Sequence, residues 1–492
     1  MNTYKLLSSL LLKKIYGTLP SEINSIQQDS RKCEDGTLFV CIRGFTVDGH
    51  DYYKDAIKNG STVIVAEEKL DINLENAALI VVNDSAKALA ILANEYYNYP
   101  STKMTLFGVT GTNGKTTVTS LMNAMLRKDN QKTALSGTIG FDIDNELVVS
   151  DNTTCDSLTN QKLLNQVSNQ GVDHVIMEVS SHGLSQGRLW GVDFDVVTFT
   201  NLTHDHMDYH ASMEEYAYVK GLLFAQLGNN LREPKYAVLN RDDPWSERFN
   251  SHTSAEVITY SIYEDSDFKA VDIKYRQEST SFTLLSPEGE FSAEMKLLGE
   301  FNVYNALAAI ASLFAKRMPI RKLVDMLKDL KPINGRMEKV NIDSPITMYI
   351  DYAHTPDAIE KSIFSVMPFK EKRLIFVAGT GGDQDAYKRP LMAEKASLAD
   401  YVILTVNDPR NESTSSILAD METGMQHERY LLISDRKVAI KKAIELSEPG
   451  DILIIAGKGQ EEYQIIGNKK VPHSDANVAI EHCQHKYKQL SP

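Results

Sequence analysis

Residues 108–117 read Gly-Val-Thr-Gly-Thr-Asn-Gly-Lys-Thr-Thr, a spacing that can hold a polyphosphate. An apolar stretch from Met104 to Thr110 precedes this turn, and Val118, Leu121, Met122, Met125 and Leu126 follow it at helical period. A strand that feeds a helix through such a turn aims backbone N–H groups and the positive end of the helix dipole at one spot. Lys115 adds a full charge there. The strict P-loop pattern asks for glycine five residues before Gly114, where Val109 stands, so the stretch is read as a relative of that motif. The competing reading is a chance Gly/Thr turn, which needs strand, turn, Gly-Lys-Thr and amphipathic helix to coincide.

Two further strands end in polar residues. "HVIMEV" puts Glu178 at its exit, and "DVVTFT" leads into a loop that clusters His204, Asp205, His206, Asp208 and His210. A carboxylate and an imidazole near a phosphate loop suit magnesium, with Glu178, the Thr116 hydroxyl and nucleotide oxygens as ligands and one histidine added. Zinc fits less well, and some of these side chains could cap the next helix instead. That helix opens with a capping box, Ser212 to Glu215, and carries Tyr216, Val219, Leu223 and Phe224 on one stripe. Lys220 falls on the same stripe. Lysines so placed are most often snorkelling surface residues. Near a metal loop, Lys220 could also serve as a neutral amine or as a carbamate formed with CO2, and the residues alone do not choose.

Later strands end in mixed charges: Asp351, Tyr352 and His354; Asp383 and Arg389; Asp408, Arg410 and Glu412; Lys458, Glu461 and Glu462. Taken singly these read as surface ion pairs, which are common and weak. Their shared place at strand ends suits a zwitterionic ligand, Arg pairing with a carboxylate and Glu receiving an ammonium.

The elements that must position these groups are legible as alternating apolar runs. In residues 1–99, "TLFVCI", "STVIVAE" and "AALIVV" with the helix "SAKALAILANEYYNY" make a small α/β domain. Residues 100–333 form a central P-loop ATPase-like parallel-sheet domain, and residues 334–492 a Rossmann-like domain built on "TMYIDYAH", "RLIFVAGTGGD", "DYVILTVNDP" and "DILIIAGKGQ". In open parallel sheets ligands bind at the carboxyl ends of strands, where the polar residues stand. The fold class is therefore α/β in three domains, as the 492-residue length suggests. The opening "MNTYKLLSSLLLKKIYG" is read as an amphipathic helix, too short to span a membrane and without a cleavage pattern. A net charge of −14 argues against a broad nucleic-acid surface. Cys33, Cys41, Cys155 and Cys483 lack CxxC spacing, which indicates neither zinc nor disulfides and suits a reducing cytoplasm. No membrane association is expected.

Together these motifs resemble the Mur ligases, and within them the MurE type. The likeness rests on "QDSR" (28–31) and "GFTVDGHDY" (44–52); on "GVTGTNGKTT", "NTT" (152–154), "MEVSSHGLSQGR", "FTNLTHDHMDYH" and "GEFNVYNALAA"; and on "GRME", "IDYAHTPDA", "GGDQDAYKRP" and "GKGQEEYQ". TGTNGKT is how this family writes its ATP loop, which accounts for Val109. The resemblance implies that Gly111, Thr112, Asn113, Gly114, Lys115, Thr116 and Thr117 hold ATP phosphates, with Asn302, Asn305, Arg336, Asp351 and His354 also contacting the nucleotide. It makes Thr116, Glu178, His206 and a carbamylated Lys220 the magnesium set, and Lys115, Glu178, His206 and Lys220 the catalytic set. Ser30 matches a uridine pocket, while Asn152, Thr153, Thr154, Ser180, Gln186 and Arg188 match contacts to the sugar-peptide. Position 155 is Cys where the nearest pattern has Pro or Gly. Arg389, Asp408, Arg410, Gly457 and Glu461 match the acceptor site.

The implied reaction activates the D-glutamate γ-carboxylate of UDP-N-acetylmuramoyl-L-alanyl-D-glutamate with ATP and magnesium and joins a diamino acid to it, in a monomer whose third domain closes as a lid. Members adding meso-diaminopimelate carry Asp-Asn-Pro-Arg, and L-lysine-adding members commonly lack its Arg. This chain reads Asn407-Asp408-Pro409-Arg410, with Gln460 where His is usual. Arg410 favours meso-diaminopimelate, whereas Asp408 leaves room for L-lysine or another diamino acid. A folylpolyglutamate synthase would not need "SSHGLSQGR" or the uridine-pocket motifs, and a P-loop switch would not need the third domain.

Overall fold

The computed structural model describes residues 1–44, 47–138, 140–143, 146–148, 153–229 and 233–488. The chain packs as two compact units, residues 1–108 with 129–196 and residues 109–128 with 197–492.

In the first unit the opening helix, Thr3–Ser8, is capped by Asn2 and is only six residues long. The Ser8 and Ser9 hydroxyls donate back to the Lys5 and Leu6 carbonyls at 2.6 and 2.7 Å, competing with helix continuation. The chain then turns and runs as the strand Lys14–Tyr16, antiparallel to Ala78–Val81. The single amphipathic helix expected over this stretch is therefore a short helix, a turn and an edge strand. The five-stranded sheet continues through Ser61–Ala66, Thr37–Val40 and Ser25–Gln27, all parallel. Leu38, Val40, Val63 and Val65 pack on one face with Leu89 and Leu92, while Phe39 and Ile64 fill the other. Each such side chain, once buried, contributes about 1.5–3 kcal/mol. Further along, His174–Glu178 pairs parallel with Thr133–Gly137, which continues antiparallel into Gly140–Ile143. Asp156 caps the helix Ser157–Asn169 by accepting from Thr159 N–H.

In the second unit the helix Lys115–Lys128 buries Val118, Leu121, Met122, Met125 and Leu126, the stripe its period announced. Tyr236–Asn240, Glu256–Ser261 and Phe268–Tyr275 pair in parallel, and the last continues antiparallel into Thr280–Ser286 and Gly289–Met295. That ribbon is an addition to the expected strand-helix alternation. The final sheet has the order Glu338–Lys339, Thr347–Asp351, Ile452–Ala456, Leu374–Thr380, Tyr401–Val406, Tyr430–Leu432, parallel except for the first pair. Tyr349, Phe376, Leu404 and Ile454 pack with Ile359, Ile363 and Met392 on one face; Ile350, Val377, Ile403 and Ile455 pack with Ile440, Ile444 and Ala479 on the other. Helices thus cover both faces, the doubly wound arrangement of a Rossmann-like domain. Among the described residues no helix is long and apolar enough to cross a membrane.

Candidate active site

The loop over residues 111–114, the candidate polyphosphate cradle, follows the strand Thr105–Thr110 and opens the helix Lys115–Lys128. Its glycines are required by geometry: a Cβ at Gly111 (φ +148°) would lie 1.9 Å from Thr200 Oγ1, and one at Gly114 (φ +89°) 2.5 Å from Asn305 Oδ1. Lys115 Nζ donates to the Gly111 and Thr112 carbonyls, both at 2.9 Å, so its charge lies over the loop. Asn113 Nδ2 donates to Asp357 at 2.8 Å, and Arg336 donates to the Thr116 hydroxyl at 3.3 Å. Asn305 donates to Asn302, which is tied to the Leu298 carbonyl. Asn302 and Asn305 lie on the helix Glu300–Phe314, and an apolar cleft of about 250 Å³ at its start is lined by Tyr275, Phe301, Tyr304 and Phe364.

Lys220 is buried within this unit. Its amine donates to the Gly111 carbonyl at 3.0 Å and sits 4.7 Å from the centre of the Tyr216 ring. Burial, with the Lys115 charge adding to it, holds this amine well below the usual lysine range, while Asp205 pulls the other way. A neutral buried amine is the form that reacts with CO2.

Asp205 is also buried. Burial opposes its charge, but Lys388, His206, His354 and Lys115 outweigh it and hold the carboxyl below the usual range. Lys388 Nζ stands 3.3 Å from Asp205 Oδ1, and His206 Nε2 3.4 Å from Oδ2. His354 is pushed down to about 4 by burial and by the nearby Lys388 charge. Asp351 is raised by burial despite accepting from Ser362, Met337 N–H and Tyr352 N–H. Arg336 stacks on Tyr352, 4.3 Å from the ring centre.

In the first unit, Glu178 accepts from Thr138 N–H at 3.1 Å and from its hydroxyl at 3.2 Å. A Cβ at Gly137 would be 2.2 Å from Glu178 Oε1, so glycine admits the carboxylate. Thr153 bonds Thr138. Ser180 donates to Thr154, which donates to the Glu178 carbonyl. Arg188 grips Gln186 with two donors and the Thr154 carbonyl with a third. Glu178, Thr153, Thr154, Ser180, Gln186 and Arg188 are thus one network. Ser30 opens a short 3-10 helix and receives Asn59 at its carbonyl, in the N-terminal sheet. Asn152 lies outside the described residues.

Along the strand ends of the last sheet, Arg389 is held by Glu412 at 2.6 Å and Asp420 at 2.8 Å. Lys458 bridges Asp408 at 2.9 Å and Glu461 at 2.5 Å. Gly457 (φ +113°) leaves room for Asn407, whose Nδ2 would stand 2.4 Å from a Cβ there. Arg410 makes no ion pair among the described residues, and its Nε is buried without a hydrogen bond. The residues missing from the expected set are Asp357 and Lys388, the partner of Asp205. Lys388 could have been flagged from its place beside Arg389 at the start of a helix that follows a Gly-rich turn.

Among the described residues no three His, Cys, Asp or Glu side chains converge on a metal-sized site. Magnesium is usually held by oxygen donors together with ligand oxygens and water, and the Thr116 hydroxyl at the loop fits that donor set.

Three family models match: "Mur ligase family, catalytic domain" over residues 22–97, "Mur ligase middle domain" over 109–313 and "Mur ligase, glutamate ligase domain" over 335–459. UDP-N-acetylmuramyl-tripeptide synthetase 2 of Oceanobacillus iheyensis is 54% identical over 483 residues, 98% of each chain. The UDP-N-acetylmuramoyl-L-alanyl-D-glutamate–2,6-diaminopimelate ligase of Geobacillus kaustophilus is 45% identical over 93% of this chain and 94% of its own. A solved structure bearing that same ligase name superposes with a TM-score of 0.70 at 31% identity, covering 99% of this chain and 100% of the other.

Proposed function

The chain belongs to the Mur ligase family, and from that premise we propose that it joins a diamino acid, meso-diaminopimelate in preference to L-lysine, to UDP-N-acetylmuramoyl-L-alanyl-D-glutamate. It is an ATP-dependent ligase of peptidoglycan precursor synthesis. The observation that carries the choice of acceptor is Arg410: Arg389 and Arg436 are each held by carboxylates, whereas Arg410 has none among the described residues and can receive one from a ligand.

The roles follow the three segments 1–99, 100–333 and 334–492. Ser30, Asn152, Thr153, Thr154, Ser180, Gln186 and Arg188 hold the UDP-sugar-peptide. Gly111 to Thr117 cradle the phosphates at the start of a helix, and Asn302, Asn305, Arg336, Asp351 and His354 hold the rest of the nucleotide, with the aromatic cleft offering ring faces to a base. Arg389, Arg410, Gly457 and Glu461 form the acceptor site, with Asp408 holding Lys458 beside them. Thr116, Glu178, His206 and a carbamylated Lys220 would hold magnesium, which when bound offsets charge on the phosphates.

The substrate γ-carboxylate attacks the γ-phosphorus of ATP while Lys115 draws charge from the phosphate oxygens. An acyl phosphate forms and ADP leaves. The acceptor amine then attacks the acyl carbon, loses a proton and expels phosphate, closing the amide bond. A free carboxylate would not react this way at neutral pH, so water must be kept from the activated acid. The working setting is the cytoplasm, where the four thiols stay free, and the working form is a monomer.

Dipeptide labelled with ¹⁸O in the γ-carboxylate tests the chemistry. Label recovered in inorganic phosphate supports the acyl phosphate. Phosphate carrying oxygen only from water would mark a hydrolysing NTPase and contradict it.

A further inference from the structure

Asp408 lies two residues from Arg410, where an unpaired carboxylate would attract an ammonium and repel a second carboxylate. It is not unpaired. Lys458 Nζ donates to both of its oxygens, at 2.9 and 3.0 Å, and Ile465 N–H donates to Oδ1 at 2.7 Å. Lys458 is fully buried, touches Glu461 at 2.5 Å and lies 5.1 Å from the centre of the Tyr463 ring. Three of the roughly four acceptor positions of the Asp408 carboxylate are thus taken, and its charge is matched by a buried lysine whose loss of a partner would be strongly destabilising.

The same contacts fix Arg410. Its N–H donates to the Ile465 carbonyl at 3.0 Å, and Gly467 N–H donates to the Arg410 carbonyl at 2.8 Å, so residues 408–410 are laced to the strand Tyr463–Ile466. Arg410 adopts φ +51° there. Asn407, next along, is anchored separately: its Oδ1 accepts from Arg436 at 2.7 Å, and Arg436 is paired with Asp475.

Resting on the ligase reading, we propose that Asp408 is a positioning residue for the acceptor amino acid: it neutralises Lys458 and pins the strand Tyr463–Ile466. Two carboxylates face one ammonium in this group, so Glu461 retains negative charge for an acceptor ammonium while Arg410 stands ready for a carboxylate. Asp408 acts through Lys458 and does not touch the acceptor.

The test is steady-state kinetics of the full chain with ATP, UDP-N-acetylmuramoyl dipeptide and either meso-diaminopimelate or L-lysine. The variants are Asp408→Asn, Lys458→Met, the double variant and Arg410→Ala. In Asp408→Asn, Lys458 is left to Glu461 alone, so the KM for diaminopimelate rises about tenfold while kcat and the KM for ATP stay within about twofold. The ratio of kcat/KM between the two acceptors does not change in that variant, and it falls sharply in Arg410→Ala. Removing Lys458 as well frees Glu461, so the double variant recovers acceptor KM relative to Asp408→Asn. If Asp408→Asn shifts the ratio toward diaminopimelate by about tenfold or more, Asp408 faces the acceptor and the proposal fails. Should the Lys458 variants not fold, the ratio measured with Asp408→Asn still decides. A wild-type chain inactive with both acceptors would overturn the ligase reading and this proposal with it.

Discussion

Lys388 and Asp205 form a buried ion pair at 3.3 Å, with side-chain exposures of 6% and 4%. The pair ties the histidine-rich loop after the strand Val196–Phe199 to the first turn of the helix Lys388–Ala396, beside Arg389 of the proposed acceptor site. It therefore couples the segment that carries His206 to the one that carries Arg389. Replacing Lys388 by Met leaves Asp205 buried and less compensated, which costs about 3–5 kcal/mol of stability. Urea unfolding at neutral pH checks this, and the Asp205→Asn, Lys388→Met double variant is expected to recover part of the loss.

His354 gives the fold a pH dependence of defined sign. Its folded value is pushed down to about 4 by burial and the Lys388 charge, so between that pH and its ordinary value the unfolded chain binds the extra proton. Stability falls as pH drops from about 6.5 toward 4 and levels off below. His354→Asn is expected to remove about 2 kcal/mol of that fall, read from unfolding curves at pH 7 and pH 5.

Lys220, its proton affinity lowered by burial and its amine against the Gly111 carbonyl, should gain the mass of CO2 in bicarbonate buffer and show a carbamate resonance with ¹³C-bicarbonate. Lys220→Ala is expected to lower kcat by about two to three orders of magnitude with the fold intact. Full activity in that variant would remove the residue from the catalytic set.

Gly114→Ala sets a side chain 2.5 Å from Asn305 Oδ1 at φ +89°. Strain of about 1–3 kcal/mol is expected at the loop. It should appear as an ATP KM raised about tenfold, with the dipeptide KM unchanged.

The strand, glycine turn and helix over residues 105–128 were legible because their cue is local: glycines, lysine and threonines within ten residues, followed by an apolar helical stripe. Lys220 was legible as an oddity of its stripe, and the structure supplies the reason in a buried contact with the loop carbonyl. The Asp205–Lys388 pair was not legible, since its partners are 183 residues apart and neither breaks a local pattern. The same holds for Asp408, whose apparent conflict with a ligand carboxylate disappears only when Lys458, 50 residues on, is brought beside it. At the start of the chain the apolar period suggested one helix, but two serine hydroxyls ended it early. The antiparallel ribbon from Phe268 to Met295 escaped because its half-buried strands carry weaker runs than the buried parallel ones.

The central claim is tested most directly by ADP release from the purified chain with magnesium, bicarbonate and UDP-N-acetylmuramoyl-L-alanyl-D-glutamate, comparing meso-diaminopimelate, L-lysine and no amino acid, with product mass recorded. The account predicts release that depends on meso-diaminopimelate, with the mass of the corresponding tripeptide, and weaker turnover with L-lysine. Release indifferent to any amino acid, or a tripeptide formed only with L-lysine, would contradict it.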